Sequence, residues 1–291
     1  MPAPTAASAL VEPFEGLLWC PALVPGALLE RWAIRASSLY LALDTARVRG
    51  DVSQINQVVP PGQKLALTAS SFTLGAVLTE DDLGTLDGLF KQGTTGQWLR
   101  QQFESSFAWD LDRSWVRRQY APGRYPRWHA PHAWHQDGAL GFDFAQASTS
   151  GAPAAVPIEM VTCWIALNAC GADSPGLEFV TRNLDRLLQP AELDEEYVRQ
   201  SFSPGDFWHP ALQAGDALLF RGGVPHRTYV TPGMTADRTS IELRFFAGAA
   251  VPKTQVRASC WSERDAQGGG LGVFVFRAPP KHRGTLPRRT S

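Results

Sequence analysis

Trp134-His135-Gln136-Asp137-Gly138 is the stretch from which the architecture of this chain can be worked out. His135 and Asp137 stand two residues apart, so on an extended strand both side chains leave the same face and can close on one ion. One imidazole and one carboxylate hold a transition metal poorly, and His-x-Asp alone is common by chance, so a third ligand has to come from elsewhere. His226 offers it, 91 residues downstream, in Gly222-Gly-Val-Pro-His226-Arg-Thr and just after the strand-like run Gly215-Asp-Ala-Leu-Leu-Phe220. Two histidines and a carboxylate that leave three positions open make the facial triad of non-haem Fe(II) sites. Many short strands that bring such distant ligands together suit a double-sheet jelly roll, the cupin-like double-stranded β-helix. His209, in Phe207-Trp-His-Pro210, competes for the third position, but its aromatic and proline neighbours read as a packed loop.

Twelve residues after His226 comes the apolar run Arg238-Thr-Ser-Ile-Glu-Leu-Arg-Phe-Phe246. As a strand it points Arg238 and Ser240 at one face, where a planar guanidinium and a hydroxyl can grip a carboxylate. A metal at one end and such a grip at the other describe a site for a diacid.

With these residues the chain resembles the phytanoyl-CoA dioxygenase family of Fe(II)/2-oxoglutarate oxygenases, most clearly from about Val116 to Phe246. The resemblance implies iron on His135, Asp137 and His226, and the far carboxylate of 2-oxoglutarate on Arg238 and Ser240. It also places Trp164, in Thr162-Cys-Trp-Ile-Ala-Leu167, beside the cosubstrate and Gln136 at the family glutamine between the ligands; Gln119 and Tyr120 join the cosubstrate shell as weaker candidates. The implied reaction consumes O₂ and 2-oxoglutarate, releases succinate and CO₂, and by default hydroxylates a small molecule. The segment Pro175-Gly-Leu-Glu-Phe-Val-Thr-Arg-Asn183 departs from the family's Pro-Gly-Ser-His, so substrate analogies do not carry over. Halogenation needs the metal position that Asp137 fills and is disfavoured.

Composition sets outer bounds. The 291 residues are 44% hydrophobic and 19% charged, with a formal net charge of −1, which favours neither nucleic acid nor an anionic membrane as partner. Cys20, Cys163, Cys170 and Cys260 form no Cys-x-x-Cys pair, so neither a zinc ribbon nor a disulfide scaffold is indicated, and reduced thiols in a cytoplasm are the plain reading. No basic residue precedes Arg31 and no apolar run nears the ~20 residues that span a bilayer, which gives the expectation of a cytoplasmic protein with a small-molecule substrate.

Along the chain, residues 1 to 12 read as a mobile tail and 26 to 100 as a helical buttress. Leu29, Trp32, Ala33, Ala36, Leu39, Tyr40 and Leu43 recur at helical spacing between Gly26 and Gly50, and Thr79 with Asp82 caps a second helix. Residues 51 to 78 give no firm assignment. Strand signals fill 113 to 277: Ser114 to Tyr120, the metal segment, Ile158 to Leu167, Gly215 to Phe220, Arg227 to Thr231, Arg238 to Phe246 and Val273 to Phe276, with a short helix at Pro190 to Gln200. Residues 143 to 157, small and almost uncharged, read as a lid, and 278 to 291, with Lys281, Arg283, Arg288 and Arg289, as a solvated basic tail. All of this is expected to form one domain.

Two other functional classes fit parts of the pattern. A cupin-like module could bind a ligand without turnover, and a zinc hydrolase could use His/His/Asp with water but has no need of Arg238. His129 and His132 read as loop or mouth residues, since Pro126 and Pro131 interrupt any helix there. Trp128, Trp134, Phe142, Phe144 and Trp208, with Arg118, Arg124, Arg127, Arg221 and Arg227, are the expected pocket surroundings; they suit an apolar body bearing an acid, such as an acylated amino acid or natural-product intermediate.

Overall fold

The computed structural model describes residues 10–49, 65–66, 71–103, 106–110, 113–124, 130–140 and 156–247. A hairpin, β1 (Val11–Phe14) and β2 (Leu17–Cys20), leads into the long helix α1 (Gly26–Arg49). β3 (Leu65–Ala66) and β4 (Ser71–Thr73) precede α2 (Glu80–Lys91) and α3 (Gly93–Phe103). Then come β5 (Phe107–Trp109), β6 (Trp115–Gln119), β7 (Met160–Ala166) and β8 (Gly176–Val180). A short helix α4 (Glu195–Ser201) and β9 (Phe207–Trp208) are followed by β10 (Ala217–Arg221), β11 (His226–Tyr229) and β12 (Arg238–Ala247).

Nine strands make one sheet in the order β1-β2-β10-β7-β12-β6-β4-β3, with β5 pairing the end of β12; β11-β8-β9 make a second. Side chains alternate across the large sheet. Val116, Cys163, Ile165, Leu219, Ile241, Leu243 and Phe245 pack under the helices against Trp32, Tyr40, Leu86, Phe90 and Leu99. From the other face Leu17, Trp164, Leu218 and Phe220 meet Leu177, Phe179 and Val224. The fold is a jelly roll, mainly β with flanking helices, and its sheets do not close into a barrel among the described residues.

The helical stripe lands where the spacing predicts: Trp32, Ala36, Tyr40 and Leu43 are buried, whereas Ile34 and Leu41, off the stripe, stay in solvent. Each large side chain so buried stabilises by roughly 1.5–3 kcal/mol relative to exposure. The Thr79 cap is a full capping box: Asp82 N–H donates to Thr79 Oγ1 at 3.2 Å, and Thr79 N–H to Asp82 Oδ2 at 3.0 Å. Asp82 also accepts from Arg31 at 2.9 Å and Arg35 at 2.6 Å, which ties α2 to α1.

Several expectations need correction. Val11 and Glu12 are not part of a tail, because Val11–Phe14 is the first strand and Val11 pairs with Trp19. The segment Pro175–Asn183 holds a wholly buried strand, β8, which a pattern of consecutive apolar and charged residues conceals. β11 begins at His226 itself, not after it. The lid at 143 to 157, apart from its last two residues, the strand at 273 to 276 and the basic tail lie outside the described residues. Among the described residues no helix is long and apolar enough to cross a membrane.

Candidate metal centre

His135 does not sit on a ladder strand, as the spacing suggests. It forms a single bridge with His226, each backbone N–H donating to the other's carbonyl at 2.9 Å. Asp137 then opens a 3₁₀ turn, Asp137–Ala139. The turn is fixed by Gly138 N–H donating to Gly222 O at 2.9 Å, an approach so close that a Cβ on Gly138 would lie 2.9 Å from that oxygen and 2.6 Å from Pro157 Cβ. The outcome still gathers the ligands. Asp137 Oδ1 lies 3.8 Å from His135 Nε2 and Oδ2 lies 3.9 Å from His226 Nε2, with the ligand atoms of all three within 4.8 Å of one another.

Both imidazoles are presented in the form a metal needs. His135 Nδ1 meets Ala133 O at 2.7 Å and His226 Nδ1 meets Val224 O at 3.1 Å. A carbonyl only accepts, so each Nδ1 carries the proton and each Nε2 keeps its lone pair toward the cluster. Burial lowers both rings, His226 to about 3, with the neighbouring imidazole adding to the effect. Burial alone would raise Asp137, but Arg244, the two histidines and the Thr162 hydroxyl outweigh it and hold the carboxyl below its usual range. Thr162 Oγ1 donates to Asp137 Oδ2 and Arg244 Nη2 stands 3.3 Å from the same oxygen, so both orient the carboxylate.

The cluster opens into a cavity between the two sheets, lined from the large sheet by Arg117, Gln119, Thr162, Trp164, Arg238, Glu242 and Arg244 among others, and from the small one by Leu177 and Thr228. Register explains the lining. On β12, Arg238 faces Gln119 of β6, Ser240 faces Arg117, and Glu242 and Arg244 face Trp164 and Thr162 of β7.

Arg238 is buried, with its guanidinium 5.0 Å from the centre of the Trp164 ring, and burial pushes its pKa down. Its Nη1 donates to Gly176 O at 3.2 Å, yet Nε has no partner, and no carboxylate forms an ion pair with it among the described residues. Ser240 Oγ and Trp164 Nε1 are likewise buried without partners. A buried cation with an unmatched N–H of its own and two further unmatched polar groups, Ser240 Oγ and Trp164 Nε1, make a donor set that fits a carboxylate.

Other candidates fall elsewhere. Gln136 turns away from the cavity: its amide donates to Arg186 O at 3.0 Å and Gly223 O at 2.8 Å and accepts from Leu188 N–H at 2.6 Å. It staples the 183–188 segment beneath the ligand loop. Gln136→Ala should therefore cost about 2–4 kcal/mol in denaturant unfolding, from several buried backbone groups left unmatched, while leaving cosubstrate affinity of the folded fraction within about threefold; a large affinity loss at unchanged stability would restore Gln136 to the cosubstrate shell.

His209 stacks on Tyr229 with ring centroids 4.3 Å apart and takes no part in the cluster. Of the expected pocket arginines, Arg118 is spent on Asp44 at 2.7 and 2.6 Å, Arg124 pairs with Asp237 at 3.3 Å, and Arg227 pairs with Glu178 at 2.6 Å and also with Glu195. Arg221 lines a different cavity. Trp134 is buried, donating to Glu195 at 2.8 Å, and Trp208 packs in the inter-sheet core. Tyr120 is buried, hydrogen-bonded to Arg118 and 3.4 Å from Asp44. His132 does line the cavity, against Arg117. Arg127, Trp128, His129, Phe142 and Phe144 lie outside the described residues. The cavity residues the sequence reading passed over, Arg117 and Glu242, share strand parity with Gln119 and Arg238, and that period was the signal for them.

No protein-family model and no curated protein sequence matches the chain. Solved structures do. EctD from S. alaskensis, with 2-oxoglutarate and 5-hydroxyectoine, aligns at a TM-score of 0.54 and 11% identity over 80% of this chain and 72% of its own. The same protein with bound Fe gives 0.54 and 11% over 80% and 73%. The non-heme alpha ketoglutarate dependent epimerase SnoN from nogalamycin biosynthesis gives 0.47 and 15% over 79% and 78%. At such identities the likeness concerns the fold: this chain carries the jelly roll on which those proteins are built. Within it stands a His-Asp-His group able to hold a metal ion.

Proposed function

We propose that this protein is an Fe(II)- and 2-oxoglutarate-dependent oxygenase that hydroxylates a small molecule. One observation carries the reading: the His135–Asp137–His226 group shares its cavity with a buried arginine, Arg238, that has no acidic partner among the described residues. A mononuclear metal site alone fits several chemistries, but an unmatched buried cation beside it fits a metal chelator with a second carboxylate. The EctD structures, with Fe in one and 2-oxoglutarate in another, support the same pairing on the same fold.

His135, Asp137 and His226 would hold iron, and Arg238 with Ser240 would take the far carboxylate of 2-oxoglutarate. Iron, 2-oxoglutarate and O₂, when bound, supply the oxidation and yield succinate and CO₂. The chain's own part is placement. The two Nδ1–H···O=C bonds fix the ring planes, while Thr162 and Arg244 fix the carboxylate. Trp164 Nε1 and Gln119 stand beside the arginine, and Leu177 and Phe220 exclude water from the apolar side of the cavity.

The test is anaerobic addition of Fe(II) and 2-oxoglutarate, which should give the visible charge-transfer band of a chelated 2-oxo acid, followed by succinate release in air even without substrate. A ligand-binding module would show the band without succinate. Activity with zinc on ester or amide substrates, and no band, would favour a hydrolase and overturn the reading.

A further inference from the structure

We propose that Arg117 and Arg244 form a second anion site in this cavity, one that takes the acidic group of the organic substrate; the assignment rests on the cosubstrate reading above. Arg244 is held by one arm only. Its Nη2 is shared between Asp137 at 3.3 Å and Glu242 Oε2 at 3.4 Å, while Nη1 is buried with no hydrogen-bond partner. Arg117 is similar: Nη1 lies 3.0 Å from His132 Nε2, whereas Nε stands 3.2 Å from Glu242 Oε2 without forming a hydrogen bond. Glu242 thus holds both guanidinium groups in place and satisfies neither fully. A buried guanidinium N–H without an acceptor is costly, and a carboxylate is the acceptor whose shape matches the fork.

Position separates this site from the first. Arg238 and Arg244 sit six residues apart on one face of β12, with Ser240 and Glu242 between them, so their Cα atoms are about 20 Å apart at ~3.3 Å per residue. A cosubstrate stretched from the metal to Arg238 leaves the Arg244 end of the face open.

Charge points the same way. Among the described residues, Arg118 being matched by Asp44, the cavity holds the three cations Arg117, Arg238 and Arg244 against the carboxylates of Asp137 and Glu242. A divalent metal and a dianionic cosubstrate cancel each other, so one positive charge is left in a site of low dielectric, where it discriminates strongly for an anion. The substrate class this selects is a small organic acid whose carboxylate lies beside the metal ligands.

The experiment uses the full chain loaded anaerobically with Fe(II) and 2-oxoglutarate, titrated with benzoate and with its neutral isostere benzamide. Benzoate should bind about tenfold or more tightly than benzamide, the ratio expected of a charge-assisted hydrogen bond. Arg117→Gln should bring the ratio toward one while 2-oxoglutarate affinity changes less than about threefold; Arg244→Gln, titrated at saturating Fe(II) because Arg244 also orients Asp137, should lower the ratio likewise, and Arg244→Lys, which keeps the charge, should retain an intermediate ratio. Equal binding of the two probes by the native protein overturns the proposal. So does a ratio unchanged in Arg244→Gln with weakened metal binding, which would make Arg244 a positioning residue for Asp137 alone. A collapse of 2-oxoglutarate affinity in Arg244→Gln would hand the arginine to the cosubstrate's near carboxylate. Failure of the native protein to bind 2-oxoglutarate at all would instead overturn the cosubstrate reading, and the substrate assignment with it.

Discussion

His226→Ala, Asp137→Ala and His135→Ala should each lose Fe(II) and stop succinate release, while His209→Ala keeps both. The three residues form a His/Asp cluster with ligand atoms within 4.8 Å of one another, and losing one leaves two protein ligands. The loss should exceed the roughly 10–100-fold that removal of a supporting partner costs a metal site. His226 carries the sharpest version. Its backbone bridges His135, a link the alanine variant keeps, while its ring, stacked on Phe179 with centroids 5.8 Å apart, is lost together with the Nε2 lone pair. Metal content and succinate on the four variants decide the matter; an active, metal-loaded His226→Ala beside an inactive His209→Ala would move the third ligand.

Arg238→Ala should keep iron yet raise the 2-oxoglutarate requirement by two to three orders of magnitude. Breaking a buried ion pair by removing one partner costs about 3–5 kcal/mol, and each 1.4 kcal/mol is tenfold in affinity. The ligand-free protein tells the same story from the other side. Arg238 is buried without an acidic partner among the described residues, so its removal relieves an uncompensated charge even as it leaves a void, and thermal stability of the empty variant should change little. A merely structural arginine would show the reverse, a lower melting point with native cosubstrate affinity. Arg238→Lys should fall between, having charge without the two-pronged geometry. Loss of the charge-transfer band in anaerobic titration at native iron content is the readout. Native affinity in the alanine variant would place the far carboxylate elsewhere.

How much of this was legible in the sequence follows from the range of each interaction. The α1 stripe and the Thr79 capping box are decided within a few residues, so spacing alone locates them. That His135, Asp137 and His226 come together was legible because a metal site demands particular side chains, and the same kind of reasoning picks out Arg238, which lies buried in the same cavity. The conformation between His135 and Asp137 was not, since it depends on the contact of Gly138 with Gly222, 84 residues away. Arg118 shows a different failure. Residue type suggested a pocket cation, but its parity on β6 turns its guanidinium to Tyr40 and Asp44 of α1, so that it touches the cavity wall with its charge already matched, while Arg117 next to it turns inward. Gln136 shows the converse: its place between the ligands is fixed, yet its three hydrogen bonds go to backbone that only the folded chain brings near.

β12 links fold and chemistry in a way that limits how this chain can change. Its odd-numbered residues from Ile241 to Phe245 belong to the apolar core under the helices, and its even-numbered residues from Arg238 to Arg244 face the cavity. Because the period is two, inserting or deleting one residue within it would exchange the two sets on one side of the change, turning charged side chains such as Arg244 toward Phe90 and apolar ones such as Phe245 toward the cavity. A change of length in the strand therefore disturbs core and cavity together, and the ligand preference of the cavity can change without unfolding the sheet only by exchanging side chains at fixed positions or by rebuilding the loops around it.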